Sequence, residues 1–444
     1  MSRVALIGDN SIEYVKKLID IWNNGDCAVL IDWRIPHNKA VQMMKEANVI
    51  KCFIEYRLAG RINEPNCSGN IKYILFNGMN SNSEFVSQDI YESYKENYSR
   101  DEAVILYSSG TTGKAKGIIL SHYAINRNAE LITEYMDLSN EDCIYIVKTL
   151  AHSSTLVGEL LIGLKNRIRI LISPTICNPR DTLKQINEYG VTIICVNPTI
   201  LNLYCVVACR NNIVLNSLKI IYTSGAIADV MLIKKTENIF PNVKILNVYG
   251  LSEAGPRVSA QKPRDVNVIG SVGKTLNNVD IKIISSNGAV LKPMEKGHIH
   301  IKTPCLFNGY VTFKEIRKSL YEGWFNTGDV GFLDKEGNLF ITGRSDNMVT
   351  IGSHNIYPEE IESALMQIGK LKDCIVIFFK EDIHENKMFC YYVADSDISV
   401  ELLEYCIENL ASYEVPSEFI RLEKIPLTDN GKKIRDVNKY ITYK

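Results

Sequence analysis

Short apolar runs of strand length alternate with amphipathic helical stretches from the first residues onward, and that alternation restricts the chain to layered α/β architecture. Residues 4–7 read as a buried strand, and Asn10-Ser-Ile-Glu13 then reads as a capping box opening a helix with Ile12, Val15, Leu18, Ile19 and Trp22 on one face. Further strands are expected at residues 28–31, 72–76, 104–107, 168–172, 192–196, 219–222 and 244–248. Helical stretches lie between them, so these strands should run parallel. Residues 77–101 turn polar and read as a surface excursion. After Gly270 the texture changes to short β-like runs at 280–284 and 298–301, punctuated by Ser286-Asn-Gly288 and Glu336-Gly-Asn338. A last α/β unit is expected from Ser345, with strands at 374–379 and 389–394 and a helix at 399–410. The expected fold class is α/β. A large multi-lobed N-terminal domain, residues 1–344, combines α/β layers with a small β-barrel-like subdomain, and residues 345–444 form a small α/β C-terminal domain.

Composition removes whole classes of function. The 444 residues carry 50 Lys+Arg against 51 Asp+Glu, a formal charge of −1, so no global field draws the chain to nucleic acid or to an anionic membrane. Hydrophobic residues at 46% and charged residues at 23% suit a sizeable globular core. The 12 cysteines are scattered, and the one close pair, Cys205 and Cys209, has no second pair or histidine cluster beside it. They read as reduced core residues. The apolar run at the N-terminus is too short for a signal peptide, and no stretch approaches the roughly 20 apolar residues of a membrane helix, so a cytoplasmic protein is expected.

Function must then come from local sites. The most informative stretch, from Leu106 to Gly117, follows a strand and holds Ser108, Ser109, Gly110, Thr111, Thr112, Gly113, Lys114 and Lys116. Such a loop aims N–H groups, hydroxyls and ammonium groups at polyphosphate. It is not a Walker A loop, because Ser108 and Ala115 stand where that motif needs Gly and Ser or Thr. At a strand end lies Asn247-Val-Tyr-Gly-Leu-Ser-Glu253, where Tyr249 can stack on a base and Glu253 can hold magnesium on phosphate oxygens. Gly323-Trp-Phe-Asn-Thr-Gly-Asp329 offers a carboxylate on a tight turn, suited to ribose hydroxyls. Taken singly, a Tyr-Gly turn, a Gly-Asp turn and Lys432 after Asn430-Gly431 are commonplace. The remaining stretch runs from Gly343-Arg344 through Asp346 to Glu362.

In this order the stretches resemble the adenylate-forming superfamily of acyl-CoA synthetases, peptide-synthetase adenylation domains and beetle luciferases. The resemblance begins at Ala5-Leu-Ile-Gly-Asp-Asn-Ser-Ile-Glu-Tyr14, includes Gly270-Ser-Val-Gly273 and ends at the lysine motif. The phosphate loop lies nearer the N-terminus than is usual, which implies a shortened first subdomain. The resemblance implies a mobile C-terminal domain and two half-reactions in one cleft. ATP would be held with its phosphates on Ser108 to Lys116, its adenine against Tyr249 beside Gly225 and Ala226, and its ribose on Asp329 and Arg344. Asn247, Gly250 and Ser252 complete the expected ATP site. Glu253 would bind Mg2+, Lys432 would reach the substrate carboxylate and the α-phosphate, and Asp346 would be the hinge. His152 matches the gate beside the acid pocket, whose other expected residues are Ser153, Ser224, Gly250 and Leu251.

Several positions depart from the usual pattern. Ser108 replaces Thr, Ala115 replaces Pro and Ser252 replaces Thr, all mildly, while Thr350 stands for Lys. Ser353 stands where a glycine normally lets the loop enter for the thiol step, and a Cβ restricts backbone that needs φ > 0. Ser153 replaces the Asp that amino-acid activators present to the substrate ammonium, which favours an acid without an α-amine. The expected function is an AMP-forming ligase that activates a small carboxylic acid and transfers the acyl group to a thiol. Coenzyme A is the favoured acceptor. The alternative is a stand-alone adenylation enzyme loading the phosphopantetheine arm of a separate acyl carrier protein, since no carrier domain follows the lysine motif. A non-catalytic nucleotide sensor is disfavoured by the presence of Glu253, Asp329 and Lys432 together.

Overall fold

The first helix, Ile12–Asn23, is capped by Ser11, whose hydroxyl accepts a hydrogen bond from the Tyr14 N–H at 3.0 Å. Asn10, expected to open the capping box, has another task. Its amide donates to the carbonyls of Lys148 and Ser173 and accepts from the Leu150 N–H. With donor and acceptor on one side chain it can satisfy three backbone groups at once, so it ties the end of the first strand to a neighbouring sheet. The helix buries Tyr14, Val15, Leu18, Ile19 and Ile21. Trp22 is only partly buried and its indole N–H reaches the Ala103 carbonyl at 2.9 Å.

The computed structural model describes every residue except 64–70, 79–81, 109–115, 176, 227, 229, 313–319, 352–353, 381–385, 429–432 and 441–444. Two large sheets dominate it. The first has seven strands in the order Gly309–Tyr310, Lys116–Ser121, Glu102–Ser108, Cys27–Asp32, Arg3–Gly8, Lys51–Glu55 and Lys72–Phe76. Its last five strands are parallel, and Lys116–Ser121 turns back antiparallel on Glu102–Ser108. The second has eight, in the order Lys274–Thr275, Arg257–Ala260, Lys244–Gly250, Ile220–Thr223, Ile193–Val196, Cys143–Ile146, Arg169–Ile172 and Glu84–Phe85. Its five central strands are parallel and near-continuously apolar, as expected where both faces are covered.

All eight strands expected before Gly250 are present, and four others there, Lys51–Glu55, Glu84–Phe85, Lys116–Ser121 and Cys143–Ile146, were not legible. Lys51–Glu55 and Cys143–Ile146 are short, while Lys116–Ser121 and Arg257–Ala260 pair antiparallel beside loops. The polar stretch 77–101 is more than a surface excursion. Within it Glu84–Phe85 joins the second sheet and the helix Gln88–Ser93 buries Ile90.

The β-rich texture after Gly270 forms a five-stranded antiparallel sheet of Asp280–Ile284, Gly297–Lys302, Trp324–Leu333, Leu320–Tyr321 and Leu339–Arg344. Beyond it come the hairpin Val349–Ile351 with His354–Ile356, the helix Pro358–Leu365, and a three-stranded sheet of Leu371–Lys380, Asn386–Ala394 and Glu418–Arg421 beside the helix Ser399–Asn409. Residues from Ile356 onward build cores of their own around Leu365, Val376, Phe389, Tyr391 and Leu402. One core runs from Val4 to Leu339 and joins both large sheets to the five-stranded one. The described cysteines are all free and mostly buried. Among the described residues no helix is long and apolar enough to cross a membrane.

Candidate active site

The strand Lys244–Gly250 ends at the feature that organises the site. Asn247 is buried, its amide donating to the Ser271 carbonyl and accepting from the Thr223 hydroxyl, while its N–H meets Gln261 Oε1 at 2.8 Å. These bonds fix the strand two residues before Tyr249. At Gly250 an added Cβ would lie 2.1 Å from the Pro256 carbonyl oxygen, so only glycine permits the strand to leave the sheet there. Tyr249 donates its hydroxyl to Asp329 Oδ2 at 2.5 Å. Burial, and then the Asp329 charge, push the Tyr249 phenol far above its ordinary pKa, so it remains a donor.

Asp329 sits in Trp324–Leu333 directly across from Arg344 of Leu339–Arg344, and Arg344 Nη1 donates to Asp329 Oδ1 at 3.0 Å. Gly328 precedes it with φ +75°, and a Cβ there would meet Arg344 Nη2 at 2.9 Å. The bare Gly328 backbone within this strand therefore lets the guanidinium lie against it beside the carboxylate. Arg344 also lies 3.6 Å from Asp346, which occupies the short turn Ser345–Asn347.

Glu253 lies on the turn Ser252–Ala254, and its Oε1 accepts from the Tyr310 hydroxyl at 2.8 Å. Tyr310 pairs with Ile118 on the strand Lys116–Ser121, and the Lys116 ammonium stands 5.7 Å from the Tyr310 ring centroid. The strand Lys116–Ser121 is thereby held beside Glu253. Ser252 and Ser153 share a hydrogen bond of 2.8 Å, which joins this turn to the helix that begins after His152. His152 and Leu251 are half-buried, and Ser224 is buried at the end of Ile220–Thr223, followed by Gly225 and Ala226.

Ser109, Gly110, Thr111, Thr112, Gly113, Lys114, Ala115, Ser353 and Lys432 lie outside the described residues. Their flanks are informative. Lys433 is committed elsewhere, with Nζ 2.7 Å from Asp373 Oδ1 and donating to the Cys374 carbonyl. Arg435 grips both oxygens of Glu362 at 2.7 and 2.8 Å.

The geometry brings Tyr249, Asp329 and Arg344 into one network and sets Glu253 and Lys116 on either side of Tyr310, with Ser153 bonded to Ser252 beside Glu253. A carboxylate facing a cation and a phenol suits polyhydroxyl recognition. A half-buried Glu253 offers the hard oxygen that magnesium takes together with phosphate oxygens, so the residues present fit that ion. Among the described residues no cluster of three or more His, Cys, Asp or Glu could hold a metal by protein alone. Sequence reasoning missed Tyr310, which touches Glu253 through an antiparallel pairing that periodicity does not reveal. It also missed Lys148 and Glu159, whose signal was a charge inside an apolar run.

The chain is similar to known ligases along most of its length. A 2-succinylbenzoate–CoA ligase of Bacillus cereus is 28% identical over 444 residues, covering 98% of this chain and 87% of its own. An indoleacetate–CoA ligase of Aromatoleum aromaticum is 26% identical, with 98% of this chain and 87% of its own covered. The o-succinylbenzoate CoA synthetase of Bacillus subtilis, solved with its acyl-adenylate intermediate, has the same fold, with a TM-score of 0.83, 24% identity and coverage of 98% and 87%. ATP-bound MatB from Rhodopseudomonas palustris superposes with a TM-score of 0.87 at 20% identity, covering 100% of this chain and 90% of its own. The family model of AMP-binding enzymes matches residues 1–311, and that of the AMP-binding enzyme C-terminal domain matches residues 360–432. On both matches, this chain belongs to the AMP-binding enzymes, the adenylate-forming superfamily.

Proposed function

We propose that the enzyme condenses ATP with a small carboxylic acid to an acyl-adenylate and then transfers the acyl group to coenzyme A. The observation that carries this reading is the Tyr249–Asp329–Arg344 network lying at the end of the strand whose next turn bears Glu253. Tyr249 stacks on adenine beside Gly225 and Ala226, with Asn247 holding the strand behind it. Asp329 and Arg344 bind the ribose hydroxyls. Ser108, Ser109, Gly110, Thr111, Thr112, Gly113, Lys114 and Lys116 cradle the phosphates, and Glu253 holds magnesium, which when bound neutralises phosphate charge.

A carboxylate is a weak nucleophile toward an anionic phosphate, so catalysis consists of alignment and charge neutralisation rather than proton transfer. In the first step a carboxylate oxygen bonds to the α-phosphorus and pyrophosphate leaves with the P–O electron pair, while Lys432 neutralises the reacting oxygens. In the second step the thiol sulfur bonds to the acyl carbon, its proton passes to solvent, and AMP departs. His152 gates the acid pocket, formed by Ser153, Ser224, Gly250 and Leu251. The separate cores before Leu339 and after Ile356 support a division into residues 1–344 and 345–444 with Asp346 as the hinge.

Coenzyme A is preferred to a carrier protein because the named relatives are CoA ligases. Thioester formation with the preferred acid, run once with coenzyme A and once with phosphopantetheinylated carrier proteins, tests the assignment. Saturable turnover with coenzyme A is expected, and turnover confined to a carrier would overturn it.

A further inference from the structure

Residues 307–311 strap the turn that carries Glu253 to the strand Lys116–Ser121. The Phe307 N–H donates to the Glu253 carbonyl at 2.9 Å, the Asn308 N–H to the Ile119 carbonyl at 2.8 Å and the Val311 N–H to the Gly117 carbonyl at 2.8 Å. Within this run Tyr310 pairs with Ile118, and its hydroxyl donates to Glu253 Oε1 at 2.8 Å. One segment therefore holds Glu253 twice, at its backbone and at its carboxylate. The strap also lies flush against the strand, since a Cβ on Gly117 would come within 2.8 Å of Val311 Cγ2.

The Tyr310 ring is fixed as well as its hydroxyl. Phe307 meets it edge-on with centroids 4.8 Å apart and meets Phe325 in the same way at 5.5 Å, which ties the ring to the strand Trp324–Leu333 that bears Asp329. The Lys116 ammonium stands over the ring at 5.7 Å from its centroid, within reach of the electron-rich face. Tyr310 thus touches both charges that the adenylation reading sets on the phosphates, the anion assigned to magnesium and the cation of Lys116.

A glutamate that must find its orientation while it binds a metal loses side-chain freedom in doing so. A hydrogen bond to one oxygen sets the carboxylate in advance and leaves lone pairs of the other for the ion. A phenol suits that task because it is a neutral donor. A lysine or arginine in its place would compete with magnesium for the same carboxylate.

We propose that Tyr310 is a positioning residue, which orients the Glu253 carboxylate toward the magnesium accompanying ATP and holds the Lys116 ammonium beside it. The proposal rests on the adenylation reading. Its test is calorimetric binding of Mg2+–ATP, of ATP in EDTA and of AMP to the wild type, Tyr310→Phe, Glu253→Gln and the double variant. Tyr310→Phe keeps the ring against Phe307 and Lys116 and removes only the hydroxyl. It should weaken Mg2+–ATP binding about 10-fold, as loss of a group orienting a metal ligand does, while binding of AMP and of metal-free ATP changes by less than about 3-fold. Because the hydroxyl acts through Glu253, the double variant should bind Mg2+–ATP within about 2-fold of Glu253→Gln alone. Mg2+–ATP binding unchanged in Tyr310→Phe, equal losses for all three ligands, or losses that multiply in the double variant would overturn the proposal and leave the bond as part of the strap only. A wild-type enzyme that binds neither ATP nor AMP would instead overturn the adenylation reading itself.

Discussion

Replacing Asp329 by Asn keeps the shape of the carboxylate and removes its charge. In the folded chain Asp329 accepts from Tyr249 at 2.5 Å and from Arg344 at 3.0 Å, the second a bond between two charged groups. Hydrogen bonds to charged groups contribute about 1.5–3 kcal/mol each, about twice the neutral value, so neutralising Asp329 weakens its bonds to ribose hydroxyls and leaves Arg344 without its cross-strand anion. A loss of about 1.4–2.8 kcal/mol in ATP binding corresponds to a KM for ATP raised about 10- to 100-fold. The assay is pyrophosphate exchange with ATP titrated at saturating acid, repeated with 2′-deoxy- and 3′-deoxy-ATP. The wild-type enzyme should discriminate against at least one deoxynucleotide, and Asp329→Asn should discriminate much less. An unchanged KM for ATP, or discrimination against the deoxynucleotides as strong as in the wild type, would refute the assignment of Asp329 to the ribose.

Further outcomes follow from other residues. Lys432→Ala should lower acyl-adenylate formation by about 10²-fold or more while thiol transfer from supplied acyl-adenylate largely survives, because a cation aimed at developing charge is lost. Lys433→Ala should instead reduce stability, measured by urea denaturation, since Lys433 is bound to Asp373 and the Cys374 carbonyl. Gly328→Ala should raise the KM for ATP and lower stability together, because φ is +75° there and a Cβ would meet Arg344 Nη2 at 2.9 Å. Asp142 accepts from Ser139, Thr192 and Lys219; burial alone would raise its pKa, but these partners hold it below the ordinary carboxylate value. Its stabilisation is therefore present above the unfolded pKa and lost as pH falls through the folded one. Asp142→Asn should cost about 1–3 kcal/mol at neutral pH, and the difference from wild type should shrink in acid denaturation.

The parts of the site legible in the sequence are those carried by contiguous stretches. Tyr249, Ser252 and Glu253 lie within seven residues of one strand end, whereas Asp329, expected on a tight turn, lies inside the strand Trp324–Leu333. Asp329 and Arg344 are 15 residues apart, and the turn signal at Glu336-Gly-Asn338 between them did not by itself pair the two strands that bring them face to face. Contacts made across sheets were not legible. Tyr310 reaches Glu253 only because Gly309–Tyr310 adds to the edge of the first sheet, a two-residue pairing with no periodicity to detect. Asn10 and Ser11 are equally good helix caps, so the choice between them was made by the second sheet, whose backbone Asn10 satisfies. Lys148 and Glu159 were visible as charges among apolar neighbours, but their pairing depends on a π-helical turn that residue spacing does not encode.

In the proposed reaction ATP is cleaved between its α- and β-phosphates by an acid carboxylate. Acid-dependent exchange of radiolabelled pyrophosphate into ATP, measured with magnesium and without coenzyme A, tests this most directly. Exchange should require both the acid and magnesium and be lost in Lys432→Ala, and addition of coenzyme A should yield AMP and an acyl thioester in equal amounts. Production of ADP and inorganic phosphate, or nucleotide turnover indifferent to every acid, would contradict it.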